Sequence, residues 1–177
     1  MNVPRSKNRR IYILLLLAVL IGVVSNHLNI RSTENGPLLV IDEKEFDVLG
    51  EVNMGWTALI TDCSNVSSPQ FNEWIYHEAI KVVQDYSPPQ SRKTHVASVW
   101  QQDSWLLVET EFDELLPSVV PLKQSNGVLS IVPHAVWSGY TAPWKATPFI
   151  RKYIKNQAPE LPSDLINCFR PQSRGFQ

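Results

Sequence analysis

THVASVWQQDSWLLVETEFDELLPSVVPLKQSNGVLSIVPHAV, residues 94–136, is the stretch on which the fold turns. Thr94 to Trp100 alternates apolar and polar side chains, and Ser104 to Thr110 is rich in Trp, Leu and Val. Gln101-Gln102-Asp103 between them reads as a hairpin loop. Val119 to Gln124 and Val128 to Val136 flank Asn126-Gly127, a pair suited to the two positive-φ positions of a tight hairpin turn. Pro121 and Pro133 have no N–H to give to a ladder, which predicts edge positions or bulges for both.

A sheet of this kind needs an apolar cover, and the preceding segment supplies one. Ser68 and Pro69 suit a helix N-cap and first turn. Phe71, Trp74, Ile75, Ala79, Val82, Val83 and Tyr86 follow at three- and four-residue spacing, with Glu73, His77, Lys81 and Gln84 on the opposite face. Ser87-Pro88-Pro89 ends that helix. Further out, Leu38–Ile41 and Met54–Thr61 read as two early strands. Thr147-Pro148 opens a short helix to about Asn156, and Ser163–Phe169 forms a last turn. The prediction is an α+β protein: an N-terminal hydrophobic helix, then one domain with a curved antiparallel sheet packed on a long amphipathic helix. In outline this order resembles cystatin-like and nuclear-transport-factor-like domains, a likeness of architecture only.

The N-terminus carries a different signal. Arg5, Lys7, Arg9 and Arg10 precede Ile11–Val24, which holds only apolar side chains, glycine and Tyr12. A basic flank before an apolar run has the order of an export signal, with the positive side retained in the cytosol. Fourteen helical residues reach about 21 Å against a hydrocarbon core of about 30 Å. Val23 and Ser25 suit a cleavage site, whereas Leu28 and Ile30 prolong the apolar character, so a cleaved signal and an uncleaved anchor both stay open. The expected organisation is a basic cytosolic tail (1–10), a signal or anchor segment (11–30), a linker (31–37) and an extracytoplasmic α+β domain (38–177). The resulting plan also resembles single-pass subunits of bacterial secretion machines.

Beyond the first ten residues, 12 basic side chains face 17 acidic ones, and no basic stripe suggests nucleic acid. Lys145–Arg174 is the most basic part, with six positive residues. Two cysteines, Cys63 and Cys168, read as a disulfide in an oxidising compartment. Asp62-Cys63-Ser64 resembles the nucleophile segment of cell-wall-peptide cysteine endopeptidases, and the resemblance implies His95 as the base. Here, though, the helix start lies several residues past the cysteine, and a bridge to Cys168 removes the thiol. His77-Glu78 lacks the second histidine of a zinc motif, since Lys81 stands in its place, and no phosphate-binding glycine loop occurs. Glu109 and Glu111 read as a solvent-facing strand end. Trp100, Trp105, Trp137, Tyr140 and Trp144 offer either core filling or a binding surface.

The functional expectation is a membrane-tethered, non-enzymatic interaction module of an envelope complex. Its partners are a lipid bilayer through residues 11–30 and a protein, without a cofactor or metal. The alternatives are a thiol hydrolase using Cys63 and His95, and a carrier of a small apolar ligand.

Overall fold

The apolar run is helical: α1 spans Ser6–His27 in the computed structural model, which describes residues 6–86, 88–173 and 176. Residues 1–5 of the expected basic tail lie outside the described residues, whereas 6–10 form the first turns of α1; the side chains of 6–10, Leu20, Val23, Val24 and Asn26, and so Val23 of the cleavage signal, are not among those described. Ser87 of the helix stop also lies outside the described residues. Described side chains from Ile11 to Leu17, with Val19 and Ile21, are exposed. Among the described residues no helix is long and apolar enough to cross a membrane.

By its internal contacts the chain divides into two units, Met1–Leu49 and Gly50–Gln177. In the first, α1 stops at His27 and the chain enters an antiparallel sheet of β1 (Leu28–Arg31), β2 (Leu38–Ile41) and β3 (Lys44–Phe46). Leu28 and Ile30 therefore belong to a strand, paired with Ile41 and Leu39. Residues 32–37, expected as part of a linker, form the β1–β2 connection, where Thr33 Oγ1 donates to the Gly36 carbonyl at 2.6 Å. Asp42 and Glu43 hold positive φ (46° and 68°) in the tight β2–β3 turn, the geometry that brings strands together at a two-residue loop.

The expected strand Met54–Thr61 is instead the body of α2 (Val48–Ile60). Its apolar residues, Val48, Leu49, Val52, Trp56, Leu59 and Ile60, recur at helical three- and four-residue spacing, which the strand reading split at Met54. The long amphipathic helix, α3 (Trp74–Tyr86), begins five residues later than its expected Pro69 start. Ser67 is diverted: it exchanges two backbone hydrogen bonds of 2.8 Å with Gln101, and Ser68 Oγ donates to the Val99 carbonyl. Those backbone groups are satisfied by the sheet and are not left for a helix turn.

The main sheet has β4 (His95–Gln102), β5 (Trp105–Glu111), β6 (Ser118–Ser125) and β7 (Val128–Ile131) in sequence order, all antiparallel. A two-residue β8 (Trp137–Ser138) also pairs with β6. The sheet is curved and unclosed. Asn126 and Gly127 have φ of 52° and 79°, as the hairpin turn requires. Pro121 lies within the interior strand β6, yet at a break in its neighbours. Beside it β7 has just ended, and Val132 N–H donates to the Pro121 carbonyl at 3.0 Å. Pro133–Ala135 then makes a 3-10 turn before β8 resumes pairing at Val119. Both prolines thus fall where no ladder bond is demanded of them.

Two helices follow, α4 (Ala146–Gln157) and α5 (Ser163–Cys168). Together they change the expected plan, because the sheet is covered on both faces. Val99, Leu106, Val108, Val120 and Leu122 cluster with Ala79 and Val83 of α3. Trp105, Leu107 and Val119 point the other way, into a cluster with Ile150, Ile154, Leu165, Phe169 and Phe176. Alternation along each strand sends successive side chains to opposite covers.

Ile154 is fully buried in the second cluster. Ile154→Ala is expected to destabilise the chain by about 2–5 kcal/mol in urea titration, from lost burial plus an unfilled cavity. The exposed neighbour Lys152→Ala should change it by less than about 0.5 kcal/mol.

Candidate functional site

Helix α2 is built the wrong way round for a core element. At about 100° per residue, Val52, Trp56, Leu59 and Ile60 fall within one arc of about 100°. All four face solvent, with 62, 63, 82 and 65 % of their surface exposed. Gly50 is buried, and Met54 and Thr57 are half-buried. The inner face thus holds only one large apolar side chain, Met54, beside Gly50 and Thr57, and the outer face is apolar. Two ties hold the helix. Lys145 Nζ lies 2.7 Å from Glu51 Oε1, and three residues past the helix end Cys63 is bonded to Cys168 of α5, Cα atoms 5.8 Å apart. That separation lies within the range a disulfide spans.

The bridge also settles the chemistry open to Cys63. Its sulfur is in a disulfide, so no thiolate is available. Asp62 beside it accepts the Ser64 N–H at 2.9 Å, and bonds to Ser64 hold its carboxyl below the ordinary range. His95 begins β4 with an exposed ring, its Nε2 3.9 Å from Asp113 Oδ1. His77 is exposed and stacks edge-on against Phe71 and Tyr76. Among the described residues no group of three His, Cys, Asp or Glu is placed to hold a metal.

Trp100, Trp105 and Trp137 all lie in or against the cluster on the α4 and α5 side of the sheet. Trp105 is buried with Lys123 Nζ 4.7 Å from its ring centre, and Trp100 stacks on Phe169. Trp137 stacks on Tyr153 at 5.4 Å, and its indole N–H and that of Trp144 are buried without a hydrogen-bond partner among the described residues. Tyr140, in the loop after β8, is 64 % exposed. These five side chains form no common cavity wall.

A cavity of about 340 Å³ does exist, on the opposite side of the sheet. Val83 and Tyr86 of α3 form one wall, and Val120 and Ile131 of the sheet another. Phe112, Leu115 and Leu116 from the β5–β6 loop close the mouth. Ser91, Ser118, Ser138 and Tyr86 are the lining residues with polar side-chain atoms; no charged side chain lines it among the described residues. Ser118 Oγ lies 3.1 Å from the Leu116 carbonyl and 3.0 Å from Ser138 Oγ, and Ser91 Oγ donates to the Gln84 carbonyl. Reading the sequence misses this cavity because the 111–116 segment registers as a cluster of carboxylates. Its three apolar residues, unusual for a loop, were the available signal.

Glu109 overturns the solvent-facing reading of that strand end. It has no exposed surface, and it points to the α4 and α5 side. Its carboxylate accepts Ser98 Oγ at 2.7 Å, Gln172 N–H at 2.9 Å and Ser173 N–H at 2.8 Å. Trp100 Nε1 in turn donates to Ser98 Oγ. The carboxylate thus holds the C-terminal segment against β5 through backbone donors. Nearby, Arg151 Nη2 donates to the Phe169 carbonyl, while burial and the Arg170 charge lower its guanidinium to about 10. It remains a cation at neutral pH.

No protein-family model, curated protein or solved structure matches the chain. The α+β class stands on the chain's own geometry, and no solved relative supports the cystatin-like outline.

Closing a loop of 105 residues, the Cys63–Cys168 bridge should contribute about 4–5 kcal/mol on the chain-entropy account. Urea midpoints measured with and without reductant should differ accordingly; coincident curves would contradict the bridge. Glu109→Ala removes the acceptor of a buried Ser173 N–H, and a loss of about 1–3 kcal/mol is expected. Faster amide exchange at Ser173 than in the parent chain is the local readout.

Proposed function

We propose that this chain is an exported, non-enzymatic interaction module, tethered to a membrane by the apolar helix α1, that docks onto a protein partner of an envelope complex through the outer face of α2. The observation that carries the reading is the outward apolar stripe of Val52, Trp56, Leu59 and Ile60 on a pinned helix. An apolar surface presented this way is a mark of a contact site, and Trp is the residue type most often dominant in one.

Charge favours protein over lipid as the occupant of that stripe. α2 contains no Lys or Arg and carries Glu51 in its first turn, and the segment leading into it carries Asp42, Glu43, Glu45 and Asp47 against Lys44. Interfacial helices that bind anionic membranes are instead rich in Lys and Arg. Export is supported by the basic flank before the apolar run and by the Cys63–Cys168 bridge, which suits an oxidising compartment. The apolar helix α1 supports a tether, with removal as a signal peptide as the alternative fate.

The test is photo-crosslinking in native membranes, with a photoreactive residue in place of Leu59 in the full chain. A discrete higher-mass adduct is expected, reduced at least tenfold by Trp56→Glu. Recovery of the chain only at its own size would sink the reading.

A further inference from the structure

Separate from the α2 stripe, the concave side of the sheet carries a second apolar feature with different chemistry. We infer that the cavity between α3 and β6–β8 is a binding site for one small, neutral, apolar molecule carrying at most a single hydroxyl group.

Volume sets the size of the occupant. At about 340 Å³ the cavity falls within the range of small-molecule pockets. It has roughly twice the volume of an engineered 150 Å³ cavity that takes up benzene. A fused two-ring compound or a short branched chain is of the right order. The walls belong to the packed α3-side core: Val83 and Val120 are almost fully buried, so the site is preformed. The mouth is different. Leu116 is 48 % and Tyr86 51 % exposed, which gives an entry route bordered by apolar groups.

The charge-free lining sets the charge of the occupant. Ser118 Oγ is placed to donate to the Leu116 carbonyl at 3.1 Å or to Ser138 Oγ at 3.0 Å. The serine oxygens offer lone pairs that can receive a ligand O–H. Among the described residues a buried carboxylate would find no cation on these walls, and an ammonium would find no carboxylate; both carry a heavy desolvation cost. The site therefore selects by absence of charge. A neutral molecule with one hydroxyl should bind better than the acid of the same skeleton.

The full chain in lipid nanodiscs, with empty nanodiscs as the baseline, tests this by equilibrium dialysis at pH 7 against 2-naphthol and 2-naphthoate. Saturable uptake of 2-naphthol above the empty discs is expected, with 2-naphthoate at least tenfold weaker. Leu116→Trp, at the exposed mouth and outside the core, should lower 2-naphthol affinity at least tenfold while the circular dichroism spectrum is unchanged. Val120→Phe, which fills the floor, is the second variant and should do the same. Uptake no greater than in empty discs, equal affinity for the two probes, or full retention in Leu116→Trp would each overturn the assignment.

Discussion

Both faces of β5 are closed to water, and this demand organises everything downstream of α2. Leu106 and Val108 need one cover, and Trp105, Leu107 and Glu109 need another. α3 supplies the first from upstream. The second can come only from the chain after β8, so α4, α5 and Phe176 return across the sheet. Glu109 is the polar exception on that face. A carboxylate buried without donors would be prohibitive, and it is satisfied by Ser98 and by backbone N–H groups of Gln172 and Ser173. The last segment is therefore held by hydrogen bonds as well as by apolar packing.

The same return path explains how α2 keeps its place. That helix buries little of itself, so burial alone supplies little of its anchoring. A covalent link to α5, just before the segment that Glu109 holds, does what packing does elsewhere, and Glu51–Lys145 adds a second tie. The consequence is chemical as well as mechanical. A sulfur committed to a bridge is withdrawn from nucleophilic use, so the Asp62-Cys63-Ser64 segment is a structural clamp in this fold.

The α2 stripe and the α3 cavity are both apolar, and their shapes suit different occupants. The α2 stripe is convex and lies on an exposed helix, as contact surfaces between proteins often do. The α3 cavity is concave and free of charge, with hydroxyls already turned inward, as small-molecule sites are. The sheet separates the tryptophans from this cavity: Trp100 and Trp105 pack on the α4 and α5 side, against Phe169 and beneath Lys123.

Local chemistry made much of this legible beforehand. The Asn126-Gly127 turn, the alternation in 94–110, the late helices and the cysteine pairing all follow from preferences acting over a few residues or from simple parity. The sequence alone also determined the class, α+β, and the order of the main elements from α3 to α5, although the strand expected over Val128–Val136 ends at Ile131 and gives way to a 3-10 turn and β8. Tertiary structure decided what short-range patterns leave ambiguous. It turned the apolar face of α2, a helix whose spacing was already in the sequence, outward, and moved the α3 start to Trp74 by pairing Ser67 with Gln101. It buried Glu109 where periodicity placed a solvated carboxylate. The physical reason is common to all three. Whether a side chain faces water depends on which distant segment comes to cover it, and that partner is chosen by the whole chain's packing.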